Sequence, residues 1–164
     1  MNITLIGMPG SGKSTIGKRL AEETGMQFVD VDKVIIEKTG KLLSEIIAEE
    51  GNEGFRAVEN RINAELEGEN TIFAPGGSVI YGKDAMMHLR QISTVVYLQI
   101  DRMSLEQRLG DLEARGVSMQ PGQTFADLYH ERCPMYEQYA HIVIDTANRN
   151  IPGVVRLIRN ALSI

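Results

Sequence analysis

Short apolar runs and longer stretches of helical period alternate along the chain. Residues 2–7, NITLIG, form the compact apolar run of a buried strand. A glycine-rich turn separates it from a stretch over about 13–23 in which Ile16 and Leu20 share one helical face. FVD at 28–30 reads as a second strand. Residues 33–39 and 43–50 predict two short helices broken by Gly40, and a longer helix runs from about Glu53 to Leu66, with Gly68 ending it. TIFA (71–74) is a third strand that enters PGGS. A short helical stretch near 83–90 then precedes STVVYLQI (93–100), the most strand-like segment by its Val, Ile and Tyr content. Ser104 and Gln107 have capping-box spacing and predict a helix opening there. DLEARGVSMQPGQ has Gly116, Pro121 and Gly122 and no apolar period, which predicts a mobile surface loop. Thr124 to Asp127 caps the next helix, HIVID (141–145) is a last strand, and 152–162 is a closing helix with Val155, Ile158 and Leu162 on one side.

Strands alternating with helices imply a parallel sheet covered on both faces, here about five strands in a three-layer α/β/α sandwich. Ligands in such folds gather at the carboxyl ends of the strands, where the glycine loop, FVD and PGGS all fall.

Composition narrows the class. The length of 164 residues suits one compact domain, and 43% hydrophobic with 24% charged residues suits a soluble globular protein. No apolar run approaches the roughly 20 residues that span a bilayer, and MNITLIGMPG lacks the features of a signal peptide, so a cytoplasmic location and no membrane partner are expected. The net charge is −5 with scattered positive residues, which argues against nucleic acid. Cys133, a single cysteine, excludes an internal disulfide, and His88, His130 and His141 lack metal-ligand spacing. A monomer is expected.

GMPGSGKS (7–14) carries the chemistry most plainly. Gly7, Gly12, Lys13 and Ser14 fit the Walker A pattern between a strand and a helix. Successive backbone N–H groups there nest a phosphate, the helix N-terminus adds its dipole, Lys13 bridges the transferring phosphates and Ser14 ligates Mg²⁺. None of the seven aspartates has glycine three positions on, and no NKxD motif reads a guanine, so a switch GTPase is excluded. Asp101 ends VVYLQID but stands before a helix, which favours a helix-start role over a catalytic one. A small-molecule or nucleotide kinase remains.

Phosphoryl transfer to a hydroxyl needs the alcohol held in line and a carboxylate to take its proton. In FVDVDK, alternation along a strand sends Asp30 and Asp32 to the same side; a capped turn between strand and helix is the other reading. Arg56 and Arg132 have the fork geometry to grip a carboxylate, although either alone reads more often as a solvated or salt-bridged surface residue.

Taken together, GMPGSGKST, FVDVDKVIIEKTG, EGFRAVE, PGGSV, RCPMYEQYA and IDTANRN, in that order and spacing, resemble the shikimate kinase family over nearly all 164 residues. The resemblance implies a P-loop fold like that of nucleoside-monophosphate kinases, with a substrate-binding region over about 31–62 and a lid over about 111–124. It implies ATP as co-substrate, held by Gly10, Ser11, Gly12, Lys13, Ser14 and Thr15 with Arg108 and Arg149 near the adenine, and Mg²⁺ held by Ser14 and, through water, Asp30. Asp32 would bind the substrate hydroxyls and act as base, Arg56 and Arg132 would clamp its carboxylate, and Glu59 would orient Arg56 as an ionic partner. Gly76 and Gly77 would present backbone N–H groups, and Arg115 would close over the γ-phosphate. The chain departs from the family pattern at three places: Pro75 replaces the first of three glycines, Ala74 stands where Thr or Ser is common, and RGVSMQPG replaces an apolar lid. The expected partners are ATP and a small carboxylate-bearing alcohol, shikimate favoured. A hydroxy acid or polyol such as gluconate is the alternative acceptor, and a nucleotide-binding regulatory module without turnover is the alternative class.

Overall fold

The computed structural model describes residues 1–109 and 119–164. Five strands, β1 (Ile3–Ile6), β2 (Gln27–Asp30), β3 (Thr71–Ala74), β4 (Thr94–Gln99) and β5 (Ile142–Asp145), form one sheet in the order β2-β3-β1-β4-β5, with every pairing parallel. The helices are α1 (Lys13–Thr24), α2 (Val31–Thr39), α3 (Leu43–Ala64), α4 (Lys83–Ile92), α5 (Arg102–Arg108), α6 (Phe125–Tyr139) and α7 (Ile151–Leu162), with a 3₁₀ turn over Gly77–Tyr81.

Period-two alternation along the strands builds the layers. Ile3 and Leu5 of β1, Ile72 of β3, and Val96 and Leu98 of β4 pack with Ile16 and Leu20 of α1 and Val155 and Ile158 of α7. Ile6, Phe73, Val95 and Tyr97 face the other way, onto α2, α3, α4 and α6 through Ile35, Phe55, Met86 and Tyr136. Both faces are covered, as an all-parallel sheet requires.

The predicted break between two helices in the long helical region falls at Gly51. Gly51 adopts φ 75° and ψ 176°, outside the helical region, so α3 is two helical segments joined across a kink. The predicted start of α5 is corrected: Asp101 is the N-cap and accepts from Ser104 N at 2.9 Å and Ser104 Oγ at 2.8 Å, so the helix opens two residues before Ser104. That places Asp101 in the helix-start role. Thr124 and Asp127 form the full capping box predicted for α6. Of the predicted loop, residues 110–118 lie outside the described ones; Gln120–Gln123 form a tight turn, closed by Gln123 N donating to the Gln120 carbonyl at 3.0 Å.

The connection leaving β1 runs towards β2, whereas the one leaving β3 crosses back over β1 to reach β4. Their carboxyl ends therefore part and leave a crevice, the place where such sheets receive ligands.

Candidate active site

The crevice is a cavity of about 360 Å³. Its floor is the loop from β1 to α1. Gly12, the N-cap of α1, has φ 95°, a left-handed conformation that a side chain disfavours and that turns the loop's N–H groups inward. Gly10, Gly12, Lys13, Ser14 and Thr15 line the cavity, with the Ser14 and Thr15 side chains exposed to it; Ser11 lies beneath, 1% exposed. Lys13 Nζ donates to the carbonyls of Gly7 at 2.8 Å and Met8 at 2.9 Å. Burial lowers its pKa to about 8, against the opposing pull of Asp32.

Asp30 and Asp32 also line the cavity, but strand alternation is not the reason. Asp30 ends β2 and caps α2, its Oδ1 accepting from Asp32 N at 3.1 Å, and Asp32 sits in the first turn of the helix. The capped turn and the functional placement are one structure, since the cap turns both carboxylates into the crevice. Asp32 Oδ1 is buried without a hydrogen-bond partner. Burial pushes its carboxyl up to about 6, with the neighbouring Asp30 charge adding to the shift and Lys13 opposing it.

Glu59, from α3, lies beside Asp32, the two carboxylates meeting at Gly76, and is 2% exposed. Ser78 Oγ donates to its Oε1 at 2.5 Å, while Oε2 has no partner. Burial pushes Glu59 up to about 7; the Ser78 hydrogen bond opposes this, and the Asp32 charge reinforces it. The expected Glu59–Arg56 ion pair is not formed: among the described residues no such pair lies within 4 Å. Glu59 is bound to the turn after β3, and Arg56 instead lies over the Tyr81 ring, 3.8 Å from its centroid.

The turn Pro75–Gly76–Gly77 lines the cavity against these carboxylates. A Cβ on Gly76 would lie 2.9 Å from Asp32 Oδ1 and 3.0 Å from Glu59 Oε2; one on Gly77 would lie 2.9 Å from Pro9 Cδ and 3.1 Å from Arg132 Nη1. Bare backbone is what lets the carboxylates and the arginine approach. Arg132, on α6, lines the cavity and is 1% exposed, which rules out a surface role. Arg56 stands one layer behind it, with its Nε buried and without an acceptor. Arg108 and Arg149 meet at a smaller cavity on the outer side of the glycine loop, where Ser11 also lies; Arg108 Nη1 donates to the Gly10 carbonyl at 3.2 Å. Arg115 is outside the described residues.

Sequence reasoning missed Ser78, Tyr81 and Tyr136. Tyr136 Oη donates to the Gly77 carbonyl at 2.6 Å and its ring stacks on Tyr97 at 5.1 Å, so it ties α6 to the turn. Its spacing of four from Arg132 was the available signal. Ser78 and Tyr81 carry no local pattern.

The arrangement is a phosphate nest facing a half-buried Asp32, a buried Glu59 and a buried guanidinium. The family model for shikimate kinase matches residues 9–163. Shikimate kinase of Mycobacterium avium is 37% identical over 161 residues, covering 96% of this chain and 91% of that protein; the Bacillus anthracis enzyme is 32% identical over 163 residues, covering 99% and 98%. Among solved structures, shikimate kinase from Acinetobacter baumannii in complex with shikimate superposes with a TM-score of 0.88 at 33% identity, covering 99% of this chain and 93% of that one. A deoxyadenosine kinase from M. mycoides, at 17% identity and a TM-score of 0.62, shares the fold. A match across nearly the whole chain, on a site whose glycine loop, aspartates and buried arginine come together in one crevice, means that the chain belongs to the shikimate kinase family.

Proposed function

We propose that the protein is an ATP-dependent kinase that phosphorylates the 3-hydroxyl of shikimate, giving shikimate 3-phosphate for aromatic amino acid biosynthesis. The observation that carries this is the convergence of Lys13, Asp32 and Arg132 on one crevice, each largely removed from water. That set supplies a cation for the transferring phosphoryl group, a base for an alcohol and a fork for a carboxylate.

The glycine loop N–H groups and the α1 N-terminus cradle the ATP phosphates, and Lys13 leaves its two backbone carbonyls to meet the charge developing on the transferred group. Asp32 orients the substrate hydroxyl and accepts its proton at the unpartnered Oδ1. Arg132 and Arg56 hold the substrate carboxylate, and Gly76 and Gly77 present backbone N–H groups to the ring hydroxyls. Arg108 and Arg149 flank the adenine side of the loop, and Arg115 closes over the γ-phosphate from a lid over about 111–124. The whole chain, 1–164, acts as one kinase domain whose substrate region is about 31–62.

Mg²⁺ fits the donors present. The Ser14 hydroxyl is exposed beside the cavity that Asp30 and Asp32 line, and no cluster of three His, Cys, Asp or Glu occurs among the described residues. Few hard oxygen donors suit an ion that keeps most of its ligands as water and phosphate, with Ser14 direct and Asp30 through water. When bound, the ion neutralises phosphate charge.

No helix among the described residues is long and apolar enough to cross a membrane, which supports action in the cytoplasm. The exposed large apolar side chains Leu42, Met87, Met103, Val143 and Ile151 sit on different elements, which supports a monomer.

Coupled ADP release across a panel of hydroxy acids tests the acceptor. Shikimate gives the highest kcat/KM on this reading; turnover of gluconate with none of shikimate would overturn it. Tight ATP binding without turnover of any acceptor would instead establish a regulatory module.

A further inference from the structure

Tyr81 is the last residue of the 3₁₀ turn, half-buried beneath two arginines. Its ring centroid lies 3.8 Å from the Arg56 guanidinium carbon and 5.3 Å from that of Arg132. The phenol oxygen donates to Glu131 Oε2, on α6 next to Arg132, so the ring is anchored to the helix that delivers the second arginine. Arg132 also hydrogen-bonds the Tyr81 hydroxyl, so this one side chain meets both guanidinium groups, one on its face and one at its phenol oxygen.

We propose that Tyr81 is a positioning residue for the carboxylate clamp, its aromatic face fixing Arg56 beside Arg132 before substrate arrives. The inference rests on the assignment of those arginines to the substrate carboxylate. An arginine side chain has large rotamer freedom, and ordering it on binding opposes affinity. A carboxylate partner would order it too, but would occupy the N–H donors that the substrate needs. A ring face attracts the guanidinium through the π-system and leaves the in-plane donors of Arg56 for another anion. The buried Arg56 Nε, without an acceptor, is such a donor. The specificity that follows is for an anionic, planar group such as a carboxylate at this end of the substrate.

Tyr81→Leu and Tyr81→Phe separate the ring from the hydroxyl. Calorimetric Kd values for shikimate, for its methyl ester and for ATP, with steady-state KM and kcat, give the readout. Tyr81→Leu weakens shikimate about tenfold, as a partly desolvated cation–π contact implies. It leaves the ester and ATP affinities within about twofold and lowers kcat by less than about threefold, whereas Tyr81→Phe keeps shikimate within about threefold. Equal losses for acid and ester, or unchanged shikimate affinity in Tyr81→Leu, would overturn the proposal while leaving the kinase reading intact. A wild-type protein without shikimate affinity would overturn both. A further measurement reads the stacking in the wild-type protein itself, with Arg56→Lys used only for assignment, should the Tyr81 variants fail to fold. The Arg56 Nε–H resonance, assigned by its loss in Arg56→Lys, is shifted upfield by the Tyr81 ring current; an unshifted resonance contradicts the stacking on which the proposal stands.

Discussion

The chemistry concentrates in three buried ionisable side chains that oppose one another. Asp32 and Glu59 are both raised by burial, Asp32 further by the Asp30 charge and Glu59 further by the Asp32 charge, and Lys13 is lowered by burial and partly restored by the carboxylates. Such a set binds charged ligands well because the empty site is poorly compensated. Glu59 holds its proton more tightly folded, near 7, than unfolded, near 4.5, so its contribution to stability is complete below about 4.5 and is lost as pH rises through about 7. Glu59→Gln keeps an acceptor for Ser78 and carries no charge. It is expected to be more stable than the wild type at pH 8, by on the order of 1–2 kcal/mol, and equal to it near pH 4, as urea denaturation at the two pH values would read. A variant less stable at pH 8 would contradict the buried-charge account.

The same shift sets activity. Asp32 accepts a proton only when ionised, so kcat/KM rises with pH through a limb near 6, set by burial and by the Asp30 and Lys13 charges beside it. Asp32→Asn is expected to lose at least about 10²-fold in kcat and the limb with it, while ATP affinity is kept. The two aspartates illustrate a correct placement reached for the wrong reason. Both were visible in FVDVDK, but a cap, not strand alternation, brings them to the crevice.

Among the elements, the turn after β3 and the helix α6 do most to shape the substrate side. Tyr136 and Ser78 tie this turn to α6 and α3, and Gly77 lies where a methyl group would meet Pro9 and Arg132. Gly77→Ala is expected to displace the turn, costing about 1–3 kcal/mol in denaturation and raising the Kd for shikimate more than that for ATP. Equal effects on both ligands would place the strain in the glycine loop instead. Elements with local signals were readable from the sequence. The Thr124–Asp127 box opens α6 because its two reciprocal hydrogen bonds need only residues three apart. The 3₁₀ turn was not readable, because five residues of i,i+3 bonding leave no apolar period, and Tyr81 was therefore missed. The α5 start was misplaced because Ser104 caps nothing; it is the donor to Asp101, three residues earlier.

Across the whole molecule, the alternation of strands and helices was enough to give a parallel sheet with two covered faces, but not its strand order. Strands buried on both sides are near-continuous apolar runs, so nothing in TIFA or NITLIG says which lies beside which. The order places β3 against β1, and this brings Pro75–Gly77 opposite the glycine loop and Arg132 across from Asp32. Long-range pairings such as Glu59 with Ser78 and Arg56 with Tyr81 follow from that packing, which is why Arg56 and Glu59, paired from resemblance, feel each other's charge without forming a direct ion pair.

The central claim is a transfer from ATP to one hydroxyl of shikimate. Phosphorus NMR of wild-type protein with ATP, Mg²⁺ and shikimate tests it directly. The account predicts a single phosphomonoester resonance, coupled to the ring proton at the 3-position and growing in step with ADP. Release of inorganic phosphate alone, or no ATP consumption, would contradict it.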